Sequence, residues 1–503
     1  MGSIRDDLTI PLAAYLWQRI RQLGVQSVMG VPGDMNLELL DYIDGVEGLS
    51  WVGNANELNA AYAADGYSRV KGCPGVLVTT MGVGELSAIN GVAGAFTENV
   101  KLIHIVGTTG TRAQKARAMI HHCLGPDPDH RVYSKISESV RAAHCWLDDV
   151  ATAPAEVDRV IRECYVRSLP VYIFVPMDFV HVPILASLID QPVDLNPRTD
   201  DEACTAAIHA VIDIIKTSSA PTIIVDALVH RYRATDVMNR LLDQLDLPTF
   251  TTPMGKSIVP EDKPYFGGVY NGQVSLPGVA NAIETGSDLV IDVGFIHSDS
   301  NTGGHSRNPP RMAQSVLVAA TYVQVGHARP STPVPSPSSA AQSDAPYPSD
   351  LTSPRITQSW IWKRIGDMAR PGDINNNGYT IERAIHGPEQ GKLAYLPSIA
   401  PLQPPLLQTR HLTDRSYPRT GYNDIPLWNH QLLLRAFGAR DGETNSRVVT
   451  TKQEFEQAIS SPRYTDLGSI QLLEAIMDRM DVPWRLRAQI ELINERNARM
   501  HVE

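Results

Sequence analysis

Cysteine is scarce and unpaired in this chain: Cys73, Cys123, Cys145, Cys164 and Cys204 are odd in number, scattered over 503 residues and never in a C-x-x-C pair. Neither a disulfide framework nor a zinc site is indicated, and a reducing, cytoplasmic setting fits. A basic excess is also missing, since 44 Lys and Arg face 55 Asp and Glu for a net charge of −11, which argues against a nucleic-acid binder. No uninterrupted apolar run reaches membrane-spanning length. The opening MGSIRDDLTI lacks the apolar core of a signal peptide, and Asp6 stands where a myristoylation signal needs Ser or Thr. What is present, 43% hydrophobic and 20% charged residues, is the composition of a soluble globular protein, and the length exceeds what one core organises. Three domains are expected.

Residues 1–190 alternate β-branched runs with longer amphipathic stretches, the pattern of a mainly parallel sheet covered by helices on both faces. Leu12, Leu16, Ile20 and Leu23 have helical spacing and Gly24 follows as a C-terminal cap. Strands are expected at 27–31, 76–79, 102–106 and 171–175, and the loops leaving their carboxyl ends are where a ligand crevice forms in an open α/β sheet. A central α/β domain follows over 195–326, with strands at 222–225, 289–293 and 316–325. Within it, Ile283-Glu284-Thr285-Gly286 reads as a helix ended by glycine rather than a functional loop. Residues 327–355 hold seven prolines and seven serines in 29 positions and form a linker. A third segment, 356–503, begins with a helix around Trp360 and closes with one started by Pro483, carrying Leu486, Ile490 and Ile493 at core spacing. Between them, 391–421 is rich in Pro and Leu without helical or strand period and reads as an inserted loop.

Taken singly, the residues suited to chemistry are modest signals. Glu57 opens an alanine-rich helical run, where a carboxylate commonly does no more than compensate the helix dipole. His121 and His122 are adjacent, so both can line a cleft only from a turn. Gly82-Val83-Gly84-Glu85-Leu86-Ser87 follows a strand but has Ser87 in place of the third glycine of a dinucleotide fingerprint, and a nucleotide site is discounted.

Taken in order, the pieces resemble one family. Gly30-Val31-Pro32-Gly33-Asp34-Met35-Asn36-Leu37, the Glu57 helix, Gly82 to Ala88, His121-His122-Cys123-Leu124-Gly125, Ser298-Asp299-Ser300-Asn301-Thr302-Gly303-Gly304 and Asn375-Asn376-Asn377-Gly378-Tyr379-Thr380-Ile381-Glu382 resemble the thiamine diphosphate-dependent 2-oxo acid decarboxylases typified by pyruvate decarboxylase. The likeness runs through 8–326, resumes at 375–390 and again from Tyr422. It implies three doubly wound α/β domains, thiamine diphosphate and Mg2+ as cofactors, and conversion of a small 2-oxo acid to an aldehyde and CO2. Glu57 resembles the carboxylate that hydrogen-bonds the cofactor's aminopyrimidine. Asp34, His121, His122 and Glu382 match the family's acid-base cluster, which steers the substrate and moves protons. Asn376, Asn377, Gly378, Tyr379, Thr380 and Ile381 match the diphosphate grip, with Asn376 through its side-chain oxygen and Gly378 through its carbonyl as metal ligands. Because the family builds each site from two subunits, a homodimer or homotetramer is expected. Pyruvate, phenylpyruvate and indolepyruvate enzymes share these positions; His121-His122 with Glu382 disfavours a carboligating synthase.

The chain also departs from the family. Its diphosphate motif should open with Gly-Asp-Gly, which occurs nowhere; Gly372-Asp373 lies only three positions before Asn376, whereas a parallel crossover needs at least about a dozen connecting residues. The intervening strands are expected to be deleted, leaving at most a tight 373–376 turn beside a cation and a third segment without a sheet to cover its apolar stripes. We read the deletion and the 391–421 insertion as misplaced exon boundaries, which a transcript encoding this chain unaltered would refute. A non-catalytic, dimerising chain is the alternative reading.

Overall fold

The computed structural model describes residues 8–307 and 314–326 and, in shorter stretches, 353–357, 360–361, 364, 373–375, 393–395, 430–436, 446–462 and 472–477. The first elements are strand β1 (Thr9–Pro11), helix α1 (Leu12–Gln22), β2 (Ser27–Gly30), α2 (Leu37–Asp41), β3 (Ser50–Gly53), α3 (Glu57–Lys71), β4 (Gly75–Thr80), α4 (Val83–Thr97) and β5 (Leu102–Thr108). They continue with α5 (Thr111–Lys115), α6 (Val132–Ile136), β6 (Ala143–Trp146), α7 (Ala153–Arg167), β7 (Val171–Pro176) and β8 (Pro183–Leu185). Six of the strands form one sheet in the order β3-β2-β4-β5-β7-β6, every pairing parallel.

Parallel strands buried on both faces are rich in apolar residues, and β4 and β5 are buried throughout, with the polar Thr79 and His104 hydrogen-bonded to each other at 2.9 Å. Alternation then sorts their side chains. Val76 and Val78 join Ile103, Ile105, Ile173 and Val175 under Leu16, Trp17 and Ile20 of α1 and Val157, Val160 and Ile161 of α7. Leu77 joins Leu102, Val106, Tyr172 and Phe174 on the other face, under Ala60, Ala61 and Ala64 of α3 and Ala88, Val92 and Ala95 of α4. The α3–α4 contact is tight because both helices are small there: a Cβ at Gly91 would lie 2.6 Å from that of Ala61. Arg19 is buried yet paired with Asp158 at 2.8 Å, and Tyr15 donates to the same carboxylate. As expected, Gly24 follows α1 in a left-handed conformation, φ +89°. Strand β3 is the short strand expected at Trp51 ahead of the Glu57 helix, and β6 completes the sheet beyond those expected.

By its packing the chain divides into two compact units, Met1–Ala206 with Leu228–Asp236, which includes α9 (Leu228–Arg231), and Ala207–Ala227 with Val237–Glu503. The second contains α8 (Asp201–Thr217) from Ala207 onward, β9 (Pro221–Val225), α10 (Thr235–Leu245) from Val237 onward, β10 (Thr249–Thr251), β11 (Phe266–Val269), α11 (Val279–Glu284), β12 (Leu289–Val293), β13 (Gln314–Val318) and β14 (Val323–Gly326). Its sheet runs β11-β10-β9-β12-β13-β14, parallel except for β14. The single strand expected at 316–325 is thus two antiparallel strands, because Ala319 N–H bonds the Tyr322 carbonyl at 2.9 Å and reverses the chain. Helix α11 ends where expected, but Gly286 is not its left-handed cap. It allows close approach, since a Cβ there would meet the Ala282 carbonyl oxygen at 2.7 Å. Glu284 is structural, accepting from Tyr270 Oη at 2.7 Å and from Gln273 Nε2.

The third segment corrects the sequence reading at two points. Asp373–Asn375 is not a turn but a strand, β15, paired in parallel with β16 (Leu393–Tyr395), which lies inside the stretch read as an inserted loop. Seventeen residues separate the two strands, enough for a parallel crossover. Nor are its helices all left uncovered: Phe455, Ala458 and Ile459 on one helix (Lys452–Ile459) pack with Ile356, Ile361 and Val449 in a small core beside the parallel pair Ser446–Val449 and Leu472–Ala475. Among the described residues no helix is long and apolar enough to cross a membrane.

Candidate active site

The chain runs from β2 outward to β3, then returns across the sheet to β4 and on to β5, so the winding direction switches between β2 and β4. At such a switch the loops above the carboxyl ends diverge and leave a crevice. Asp34 follows β2, Glu57 follows β3, Gly82 to Glu85 follow β4, and His121 and His122 lie in the loop between α5 and α6 after β5. All four lie above the same sheet edge.

The Asp34 loop is shaped by Asn36, whose Oδ1 accepts from Gly33 N–H at 2.9 Å while its Nδ2 donates to the Val31 carbonyl at 3.3 Å. Asp34 is left pointing outward, 53% exposed, and its Oδ2 meets His121 Nε2 at 2.7 Å. The His121 and His122 rings stand edge to face, 4.7 Å apart. His122 is half-buried, and its Nδ1 is buried without a partner.

Glu57 is the first residue of α3, but the helix does not need it as a cap, because Asn56 Oδ1 already accepts from Leu58 N–H at 2.8 Å. Its Oε1 lies against Gly84, where an added Cβ would come within 3.2 Å. A Cβ at Gly82 would come within 3.2 Å of His122 Cβ. The two glycines at the start of α4 are therefore the cradle between Glu57 and the histidines. Among the described residues no group hydrogen-bonds the Glu57 carboxylate, leaving it available to a ligand. Such an uncommitted carboxylate beside a glycine cradle fits the edge of a heterocyclic amine.

Glu85, which sequence reasoning passed over as one letter of a discounted fingerprint, supports this cradle from below. It is buried, accepts from Gly82 N–H at 3.0 Å through Oε1, and leaves Oε2 unpaired. Burial pushes its carboxyl up to about 7, against the pull of the Gly82 hydrogen bond and the Arg141 charge. Tyr133 was also missed; its hydroxyl donates to the His122 carbonyl at 2.6 Å. A glutamate three positions after a helix start is a readable capping signal, whereas nothing eleven residues downstream marks Tyr133. The Ser298 to Gly304 motif belongs to the second unit, where Asn301 Nδ2 donates to buried Asp226 at 2.7 Å and to the Ile296 carbonyl at 2.9 Å. It ties loops together rather than offering a site. Asn376, Asn377, Gly378, Tyr379, Thr380, Ile381 and Glu382 lie outside the described residues. Among the described residues no cluster of His, Cys, Asp or Glu is arranged to hold a metal ion.

The parallel-sheet α/β domains are those of a thiamine diphosphate enzyme, for two family models match the chain: "Thiamine pyrophosphate enzyme, N-terminal TPP binding domain" over residues 10–130 and "Thiamine pyrophosphate enzyme, central domain" over 208–341. Pyruvate decarboxylase of Candida glabrata is 32% identical, with 97% of this chain and 99% of that protein covered. Pyruvate decarboxylase of Kluyveromyces lactis is 34% identical and pyruvate decarboxylase isozyme 1 of Saccharomyces cerevisiae 32%, with the same coverage. The chain belongs to the pyruvate decarboxylase family, and by ancestry it is a thiamine diphosphate-dependent carboxy-lyase. The alignment with the Candida protein spans 569 positions, more than the 503 residues here, so that relative has stretches without a counterpart in this chain.

Proposed function

We propose that this chain carries out the non-oxidative decarboxylation of pyruvate to acetaldehyde and CO2 with thiamine diphosphate and Mg2+, in a site completed by a second copy of the chain. The observation that carries this reading is the Glu57 carboxylate, set above the switch point of the sheet, spared from capping and without a described partner. When bound, thiamine diphosphate supplies the thiazolium that accepts the electrons left when the carboxylate departs. Glu57 would hold the aminopyrimidine edge through a hydrogen bond to its carboxylate. The reaction breaks one carbon–carbon bond and needs one proton delivered to the carbon left behind; Asp34 and His121, already in contact at 2.7 Å, form one proton-handling pair, and His122 offers a second imidazole with an unpaired Nδ1. By the family resemblance Glu382 would join this set, Asn376 and Gly378 would serve as the metal ligands, and Asn377, Tyr379, Thr380 and Ile381 would belong to the diphosphate grip.

The missing Gly-Asp-Gly supports a second reading, a chain that keeps the fold and dimerises without catalysis, because one carboxylate of the metal site has no counterpart. Titrating the purified chain with thiamine diphosphate and Mg2+ separates the two. Saturable binding with aldehyde release, abolished in Glu57→Gln, is expected for the decarboxylase. Dimers that bind no cofactor would leave the second reading standing, and phenylpyruvate or indolepyruvate turning over faster than pyruvate would correct the substrate.

A further inference from the structure

We propose that Tyr133 is a positioning residue for the decarboxylation site, holding His122 by its carbonyl in the left-handed backbone conformation that lets two consecutive imidazoles both be presented. The inference rests on the decarboxylase reading for its purpose but not for its test. His122 has φ +73°. For a non-glycine residue this conformation costs on the order of 1 kcal/mol and persists only where the surroundings fix it. Two contacts fix it here. Tyr133 Oη donates to the His122 carbonyl at 2.6 Å. Gly82 lies close by, where any Cβ would meet His122 Cβ at 3.2 Å and Tyr133 Cε2 at 3.1 Å. Tyr133 itself is only 6% exposed, anchored in the core that contains Met81, Tyr172 and Phe174, and it sits in α6 rather than in the loop it restrains.

The geometric consequence follows from the chain direction. Side chains of neighbouring residues in extended or helical backbone diverge and cannot serve one cleft. The left-handed turn at His122 instead stands its ring at 78° to that of His121 with centroids 4.7 Å apart, while His121 reaches Asp34 at 2.7 Å. Burial raises the Tyr133 phenol above its ordinary value, so the hydroxyl remains a donor through neutral pH. Without that donor the His122 carbonyl loses its tether and the peptide is free to leave the left-handed region, carrying the imidazole with it.

Tyr133→Phe removes one oxygen and keeps the packed ring. In the full-length chain without cofactor, deuterium exchange at the ring C2–H of each histidine, resolved by peptide mass spectrometry, reads the environment of His122 directly. The expected result is a change of about threefold or more in the His122 rate with His144 and His230 unaltered. With cofactor and pyruvate, kcat is expected to fall about three- to tenfold, KM to stay within about twofold, and the pH profile to shift. An unchanged His122 exchange rate overturns the proposal, whatever the activity. A wild-type chain that releases no aldehyde defeats the decarboxylase reading instead, and the exchange comparison still decides the role of Tyr133.

Discussion

Replacing Glu85 by glutamine is expected to stabilise the first unit at neutral pH and leave it unchanged in acid. The carboxyl is 4% exposed and held at about 7 against an ordinary 4.5, chiefly because burial penalises its charged form. Below pH 4.5 folded and unfolded chains both carry the proton and the penalty is absent. Between 4.5 and 7 the unfolded chain releases its proton and the folded one does not, so stability falls as pH rises. Above 7 both are ionised and the penalty is constant, on the order of 3 kcal/mol. Glutamine keeps an oxygen for Gly82 N–H and cannot ionise, so the variant should lack this slope. Urea titrations at pH 4.5, 5.5, 6.5 and 7.5, read from deuterium protection of β4 and α4 amides, report the first unit alone, and the difference between the two proteins cancels other titrating groups. A difference that is flat across that range, or a variant less stable at pH 7.5, would refute the reasoning.

Two further outcomes follow from the same unit. Asp158→Ala removes the carboxylate from Arg19, only 2% exposed, and is expected to cost about 3–5 kcal/mol, seen as a lowered melting temperature; a loss below about 1 kcal/mol would mean that water replaces the pair. Gly84→Ala puts a methyl 3.2 Å from Glu57 Oε1 and from Thr80 Cγ2 and is expected to weaken thiamine diphosphate binding about tenfold by calorimetry and to lower the melting temperature; unchanged affinity would show that Glu57 is not set by α4.

Much of this fold was legible because parallel strands buried on both faces must be written in apolar residues. Val76 to Thr79, Leu102 to Val106 and Leu289 to Val293 could scarcely be anything else, and Gly24 had a readable terminating role. Short strands such as Ala143–Trp146 and Thr249–Thr251 were not legible, since three or four residues show no period and are strands only because a neighbour pairs with them. The division of 316–325 into two strands likewise depends on one turn at Ala319 to Tyr322 rather than on composition. Asp34, Glu57, His121 and His122 were found through motif resemblance; the resemblance did not say that Asn56, not Glu57, caps α3, or that Asp34 pairs with His121 rather than His122. Tyr133 acts on a backbone carbonyl eleven residues away, a hydrogen bond that leaves no periodic trace in a sequence, whereas Glu85, three positions after the helix cap, carries a readable capping signal.

The Glu57 carboxylate without a described partner bears on the history of the gene. Glu57 contributes no cap, His121 is 58% exposed, and losing either costs the folded chain almost nothing. A lineage freed from catalysis would therefore shed such residues early, while Gly75 and Gly91, which admit no Cβ against α3, would survive as long as the unit folds. Here Asp34, Glu57, His121 and His122 are all present while no Gly-Asp-Gly occurs in the chain. Neutral drift erodes sites residue by residue, so this combination is the pattern that misplaced exon boundaries would leave rather than that of gradual decay.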